Sequence, residues 1–235
     1  MQLTDKRAWL FVGYYTPDKN YFSLAKRMQE SVQKQGFECQ IFERPSALCL
    51  RRPPMPWVLN CAQCAEFCLE QFEANPERSI FYLDADAEML RQPELLLSPF
   101  LPEFDVGVNM GHGKRVNSGA IIFQRTEGAK KVLEAWVEEQ KFQTQKMLQG
   151  AYSKPYREAW DQQTLQNVLE QLKVEVLDLP WQYCSILPKE SPTIPPGTVI
   201  IQYQASRVSI HAPVKGATNH CWAYLAKSGF QSTHP

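Results

Sequence analysis

The sequence predicts an α/β protein with a mostly parallel central sheet flanked by helices. Three observations support this fold class. Apolar runs of strand length alternate with amphipathic stretches of helix length, the chain opens with a strand–helix–strand unit, and one short apolar run ends abruptly in two aspartates. With 235 residues, of which 44% are hydrophobic and 21% charged, the chain can bury a substantial core. We expect one domain over residues 1–235.

The opening segment predicts a parallel pair of strands. Residues 8–15 form an almost wholly apolar first strand, and residues 37–42 form the second. Between them, Ser23 can cap a helix that ends at Gly36. The apolar face of that helix carries Leu24, Met28 and Val32. A strand–helix–strand unit of this length favours a right-handed crossover between parallel strands.

The middle and late parts of the chain continue the same alternation. Residues 80–83 are four apolar β-formers, which indicates a central strand that is buried on both faces. The periodicity predicts further helices over residues 57–72, 127–148 and 161–172. It predicts further strands over residues 105–109, 120–123, 174–177, 198–203 and 207–210, the last ending at His211.

The segment Asp84-Ala85-Asp86 follows the predicted central strand directly. In open α/β sheets, ligands bind at the carboxyl ends of the strands. Two carboxylates there are costly unless positive charge meets them, and Mg²⁺ and Mn²⁺ bind through carboxylates together with substrate phosphates. The stretch is therefore either a site for a metal and a diphosphate or a plain strand end, because aspartate also caps helices and closes turns.

Composition excludes some functions and gives a location. The formal net charge of zero argues against a dedicated non-specific nucleic-acid binder. No apolar stretch has the length of a membrane span and no signal peptide is visible, so we expect a cytoplasmic protein without membrane contact. Three of the seven cysteines, Cys61, Cys64 and Cys68, have the spacing of one helix face, which favours burial over a zinc site.

Five short motifs occur in an order that resembles the GT-A fold glycosyltransferases, nearest to the small nucleotide-diphospho-sugar transferases and the glycogenin-like enzymes. The resemblance runs from Trp9 to His211. The motifs are Tyr14-Tyr15-Thr16 with Tyr21, Leu83-Asp84-Ala85-Asp86, Asn117-Ser118-Gly119, Asp161-Gln162, and His211 at the end of a late strand. Each motif is weak alone, whereas five in order are fairly specific.

This resemblance implies a role for each matching residue. Tyr14, Thr16 and Tyr21 would contact the base and ribose, and Asn117, Ser118 and Gly119 the donor sugar. Asp84, Asp86 and His211 would hold a divalent metal, Mn²⁺ or else Mg²⁺, with Asp84 reaching the ribose or the metal. Asp161 and Gln162 would face the reacting centre. The family's diphosphate-contacting Gly and Lys come in reversed order here as Lys215 and Gly216, so Lys154 and Arg157 are alternatives.

The resemblance also implies the reaction and the division of the chain. The protein would move a sugar from a nucleotide diphosphate, with UDP-sugar as the expected donor. Residues of about 8–124 would bind the nucleotide, and those of about 125–235 would face the acceptor. The acceptor stays open between a glycan, a protein, a small molecule and a modified nucleic-acid base. Stereochemistry and oligomeric state also stay open, and Asp161 would be the acceptor base only in an inverting enzyme.

Two other functions compete with this interpretation. Phosphoryl-transfer enzymes of the haloacid-dehalogenase kind also use an apolar-Asp-x-Asp motif, but near the chain start and usually followed by Thr, whereas Ala87 follows here. A non-catalytic module that binds a nucleotide-sugar or a partner protein is the second alternative. Turnover of a labelled UDP-sugar distinguishes that module from the transferase.

Overall fold

The computed structural model describes most of the chain. The described residues are 5–17, 21–46, 55–111, 115–153, 156–187 and 193–203. In these ranges no helix combines the length and the apolar character that crossing a lipid bilayer requires.

Within the described ranges, the strands are β1 Trp9–Tyr15, β2 Glu38–Glu43, β3 Ser79–Leu83, β4 Ala87–Met89, β5 Val106–Gly111, β6 Arg115–Phe123, β7 Val176–Asp178, β8 Ser185–Ile186 and β9 Ile200–Gln202. The helices are α1 Tyr21–Lys34, α2 Met55–Cys61, α3 Cys64–Ala74, α4 Glu127–Leu148 and α5 Asp161–Gln171. One-turn 3-10 helices lie between several of them.

A six-stranded mixed sheet forms the centre of the molecule, in the order β2-β1-β3-β6-β5-β7. β1 pairs in parallel with β2 and β3, and β5 pairs in parallel with β7. β6 is antiparallel to both of its neighbours, β3 and β5. Five of the six strands therefore share one direction, which confirms the predicted mostly parallel sheet.

Helices cover one face of this sheet, and a helix and a second sheet cover the other. α3, α4 and α5 bury their apolar faces against β1, β3 and β6 on the first side, where Phe67, Trp136 and Leu165 lie in the core. α1 contributes Met28 and Val32 to the core on the opposite side. The sheet is thus buried on both faces, as its apolar strands predict.

The second sheet is small and has the order β4-β9-β8. β4 is antiparallel to β9, and β8 is parallel to β9. Glu88 of β4 binds Arg27 of α1 through an ion pair of 2.5 Å and accepts a hydrogen bond of 2.5 Å from Tyr203, which follows β9. These contacts fix the small sheet against α1, because three elements share one carboxylate.

The predicted bounds are confirmed for the longest helix, and they differ from the structure for one other helix and one strand. The predicted helix over residues 127–148 has those bounds in the structure. The predicted single helix over residues 57–72 is wrong, because the chain breaks after Cys61 and α3 starts afresh at Cys64. The strand predicted over residues 120–123 begins earlier in the structure, since Asn117, Ser118 and Gly119 also lie inside β6.

The cysteines behave as small apolar residues. Cys64 and Cys68 are fully buried in α3 beside Phe67, while Cys61 ends the preceding helix and is half-buried. Cys39, Cys61, Cys64, Cys68 and Cys184 are free thiols. In the described part of the chain, no three His, Cys, Asp or Glu side chains are grouped so that they could hold a metal ion. The full burial of Cys64 and Cys68 agrees with the prediction for these two residues.

Candidate functional site

The Asp84-Ala85-Asp86 segment is a tight turn that joins the two sheets. β3 ends at Leu83, and β4 begins at Ala87. The amide of Asp84 donates to the carbonyl of Gly119 in β6 at 3.0 Å, and the amide of Ala87 donates to the carbonyl of Asp84 at 2.9 Å. The apolar residues of β3 anchor the turn in the core, so its two carboxylates are held at the carboxyl end of a central strand.

Asp84 lies in an environment that disfavours its charged form. Its Oδ1 accepts a hydrogen bond of 2.8 Å from the Tyr82 hydroxyl, which favours the charge. Burial and the nearby carboxylates of Asp86 and Asp161 outweigh this bond and raise the pKa of Asp84 well above its usual value. The charged groups of the described residues that act on Asp84 are therefore both negative.

Asp86 is the more buried of the two turn aspartates, with 8% of its surface exposed. Its carbonyl accepts a hydrogen bond of 3.2 Å from the amide of Tyr203, which directly follows β9. Because Gln202 pairs with Ala87 in the small sheet, the end of β9 lies beside the aspartate turn. The end of β9, late in the chain, thus meets the turn that follows the central strand β3.

Asp161 joins the same cluster from the other half of the chain. It is the first residue of α5, and the Ser118 hydroxyl and the amides of Asp161 and Gln162 hydrogen-bond its carboxylate. Burial outweighs these bonds and raises the pKa of Asp161. Its carbonyl accepts bonds from Trp136 Nε1 at 3.2 Å and Thr164 Oγ1 at 2.9 Å, which fix the start of the helix.

β6 carries the Asn117-Ser118-Gly119 motif between the two acidic positions. Asn117 Oδ1 accepts a hydrogen bond of 3.2 Å from the amide of Gly119, and Ser118 reaches Asp161. A Cβ atom at Gly119 would lie 3.1 Å from Asp84 Oδ2, so the backbone approaches the carboxylate closely there. The motif therefore connects Asp84 and Asp161, which the sequence placed 77 positions apart.

The predicted nucleotide contacts of the first strand lie at the carboxyl end of β1, beside β3. Tyr14 is 9% exposed, its ring contacts Phe67 and Tyr82, and its hydroxyl donates to the carbonyl of Asn60 at 2.9 Å. Thr16 is buried just after β1, and Tyr21 begins α1. Contact of these residues with a base or ribose stays a prediction, and the Tyr14 hydroxyl already has a protein partner.

Several predicted residues cannot be placed. His211, Lys215 and Gly216 lie outside the described residues, as does Lys154. Gln162 is half-buried in the first turn of α5, next to Asp161. Its predicted role at the reacting centre also stays a prediction. The structure thus brings together Asp84, Asp86, Ser118, Gly119 and Asp161.

Gln202 is a site residue that the sequence analysis did not single out. It is 4% exposed, and its Nε2 donates to the carbonyl of Gly119 at 2.8 Å. A polar residue that ends an apolar strand drew attention to Asp84 and His211. The same signal is present at Gln202, because it follows Ile200 and Ile201.

Three solved structures share this architecture and are far from this chain in sequence. A glycosyltransferase involved in glycosylation of the major capsid of PBCV-1 aligns with a TM-score of 0.56 and 13% identity, covering 86% of this chain and 96% of its own. The structural alignment thus spans nearly all of that protein. The chain has the GT-A fold.

Two other GT-A structures support the same conclusion. The glycosyltransferase GlyE of Streptococcus pneumoniae TIGR4 aligns with a TM-score of 0.53 and 16% identity, over 93% of this chain and 60% of GlyE. The galactosyltransferase LgtC, in complex with donor and acceptor sugar analogs, aligns with a TM-score of 0.51 and 10% identity, over 96% and 97%. No protein-family model matches the chain, and no curated protein matches it by sequence.

Proposed function

We propose that this GT-A chain is a metal-dependent glycosyltransferase that moves a sugar from a nucleotide diphosphate, with UDP-sugar as the donor, to an acceptor of open chemistry. The observation that carries the proposal is the pair of Asp84 and Asp86 at the carboxyl end of β3, with Asp161 at the start of α5 near enough to act on the charge of Asp84. In open α/β sheets this edge is where ligands bind. The fold shared with known sugar transferases supports the same function.

The donor set of the cluster fits a hard divalent cation. Carboxylate oxygens are the ligands that Mg²⁺ and Mn²⁺ prefer, and a cation would relieve the repulsion between Asp84 and Asp86. We propose that these two carboxylates hold Mn²⁺ or Mg²⁺, with His211 as the further ligand that the resemblance implies. The cation would stabilise the negative charge that develops on the diphosphate leaving group.

The other residues of the cluster would bind and orient the donor. Ser118 hydrogen-bonds Asp161, and the backbone of Gly119 approaches Asp84 closely. The resemblance places Asn117, Ser118 and Gly119 at the donor sugar. Asp161 is held rigidly by its bonds to Ser118 and the start of α5, so its carboxylate can act on a group brought to one fixed position. Tyr14, Thr16 and Tyr21 would lie on the nucleotide side, with Lys215 and Gly216 at the diphosphate.

The test is calorimetric titration of UDP into the protein with Mn²⁺ and with EDTA. We expect tight binding only with Mn²⁺, and we expect Asp86→Ala to abolish it because a principal metal ligand is lost. Glu30→Ala is the matched control, since it removes an exposed carboxylate from α1 and should bind as wild type. Equal UDP binding in EDTA, or wild-type binding by Asp86→Ala, would contradict the metal site.

Turnover separates the transferase from a non-catalytic module. The protein is incubated with a labelled UDP-sugar and Mn²⁺, and release of UDP is followed. Slow hydrolysis of the donor supports a transferase, because water can replace the acceptor. Metal-dependent binding without any hydrolysis would instead support a nucleotide-sugar-binding module.

A further inference from the structure

The position of Gln202 brings an amide side chain to the aspartate turn. Gln202 ends β9, the central strand of the small sheet, and pairs with Ala87 directly after Asp86. Only 4% of its surface is exposed. The next residue, Tyr203, donates its amide to the carbonyl of Asp86. The register of the small sheet therefore fixes Gln202 beside the two carboxylates.

The hydrogen bond to Gly119 determines which way the amide group faces. A backbone carbonyl can only accept, so the Gln202 nitrogen must be the atom that lies 2.8 Å from the Gly119 oxygen. The amide oxygen, Oε1, is then left for another partner. It is buried, and it has no hydrogen-bond partner among the described residues. An unsatisfied buried acceptor of this kind costs about 1–3 kcal/mol.

The amide group of Gln202 and the carboxylate of Asp84 both lie close to Gly119. A Cβ atom built on Gly119 would lie 3.1 Å from Asp84 Oδ2, 3.1 Å from Gln202 Cδ and 3.2 Å from Gln202 Nε2. The amide group, with its nitrogen toward Gly119, thus lies near the Asp84 carboxylate across a small volume that glycine leaves open. Gln202 Oε1 and the Asp84 carboxylate are both electron-rich groups, so a positively charged ligand is the species that would satisfy them together.

Two donors of the described residues beside this volume already have other acceptors. The Tyr82 hydroxyl donates to Asp84 Oδ1, and the Asp84 amide donates to the Gly119 carbonyl. Carboxylate oxygens and glutamine carbonyl oxygens are both ordinary ligands of hard divalent cations.

We propose that Gln202 Oε1 is a ligand of the divalent cation that Asp84 and Asp86 bind. The inference rests on the proposed function, which supplies the cation. It assigns a metal-binding role to a residue of the small sheet, and it gives the site three oxygen ligands from the described part of the chain. β9 would then hold the metal directly as well as supporting the aspartate turn.

The first test measures Mn²⁺ affinity by titration in the presence of UDP. Gln202→Met keeps the length of the side chain and removes the oxygen, so we expect affinity to fall about tenfold or more. Gln182→Met is the matched control. Its amide oxygen also has no hydrogen-bond partner in the described part of the chain, and its carbonyl accepts from Val199, just before β9, at 2.8 Å. We expect Gln182→Met to bind Mn²⁺ as wild type.

A second variant separates metal binding from simple support of Gly119. Gln202→Glu keeps an oxygen at the same position but loses the N–H that donates to Gly119. A ligand role predicts that Gln202→Glu binds Mn²⁺ at least as tightly as wild type. A purely structural role predicts that Gln202→Glu and Gln202→Met weaken binding alike, and that result would overturn the proposal.

The outcomes also distinguish this proposal from the one on which it rests. If wild type binds UDP equally in EDTA, the metal-dependent function itself fails. If wild type needs Mn²⁺ and Asp86→Ala abolishes binding, while Gln202→Met binds Mn²⁺ as wild type does, then only the role of Gln202 is wrong. Circular dichroism of each variant confirms that it is folded before titration.

Discussion

At the scale of single residues, the site gathers acidic groups that the folded protein accommodates poorly without a ligand. Burial raises the pKa of Asp161, and burial with two neighbouring carboxylates raises that of Asp84. Such groups are retained at binding sites although they lower stability, because the ligand compensates for them. Replacing one of these carboxyl groups by a neutral side chain is therefore expected to lower activity while it raises the stability of the ligand-free protein.

Asp161→Asn tests this opposition through pH. A carboxyl whose pKa is higher in the folded state favours folding most at low pH, and this contribution is lost as pH rises through the folded-state pKa. Asparagine does not titrate. We therefore expect the free energy of unfolding of Asp161→Asn, relative to wild type, to increase between about pH 4 and about pH 8. Urea denaturation in EDTA at both pH values measures it.

The same variant should lose catalysis. If Asp161 acts at the reacting centre, Asp161→Asn should lower UDP release by about 10²–10⁴-fold while UDP–Mn²⁺ binding is kept. Glu170→Gln, an exposed carboxylate on the same helix, is the control for both measurements. A relative stability of Asp161→Asn that is constant or falls with pH would contradict the pKa argument.

At the scale of elements, one corner joins α4 to the two strands at the edge of the large sheet. Thr126 caps α4 by accepting from the amide of Ala129 at 3.0 Å, and its hydroxyl donates to Asp105 Oδ1 at 2.6 Å. Asp105 Oδ2 accepts from the amide of Glu175, just before β7, at 2.9 Å. Thr126 and Asp105 thus fix the start of α4 against the edge of the large sheet.

Loss of that cap should destabilise the protein measurably. We expect Thr126→Ala to lower the free energy of unfolding by about 1–2 kcal/mol, because the helix loses its N-cap and Asp105 loses a donor. Thr126→Ser, which keeps the capping hydroxyl, is the control and should change stability by less than about 0.5 kcal/mol. Equal losses in the two variants, by urea denaturation, would show that the capping hydroxyl has no special role.

Sequence patterns could predict the elements that are long enough to show a regular spacing of apolar residues. α4 has 22 residues, a capping threonine and a regular apolar face, so its bounds were predictable. β4, β8 and β9 have two or three residues each, too few for any periodicity to show. The direction of β6 was also unpredictable, because pairing between distant segments decides it.

The site was predictable in part for the same reason. Asp84, Asp86 and Asp161 are polar residues at element boundaries, and local pattern finds such positions. The link from Ser118 to Asp161, and from Gln202 to Gly119, depends on how β6 and β9 are placed in three dimensions. No local signal gives those contacts, although the strand-end position of Gln202 could have drawn attention to it.

At the scale of the whole molecule, ligand binding should stabilise the fold through both sheets. A donor that binds only the folded protein adds about 2.7 kcal/mol at a hundred times its dissociation constant. We expect UDP-sugars with Mn²⁺ to raise the melting temperature more than ADP-sugars or GDP-sugars do, and to have little effect in EDTA. A thermal-shift screen measures this, and an equal or larger shift with a GDP-sugar would contradict the uridine assignment.

The pairing of β4 with β9 has a consequence for the order of folding. Residues 87–89 pair with residues 200–202, so this contact closes a long loop for only three residue pairs. Contacts of that kind form late, because the entropy of loop closure is lost before the pairing compensates for it. β1 and β2, or β5 and β6, are much closer along the chain. The large sheet would therefore place Asp84 before Gln202 arrives, and the metal site proposed above, which includes Gln202, would be complete only when β4 and β9 pair.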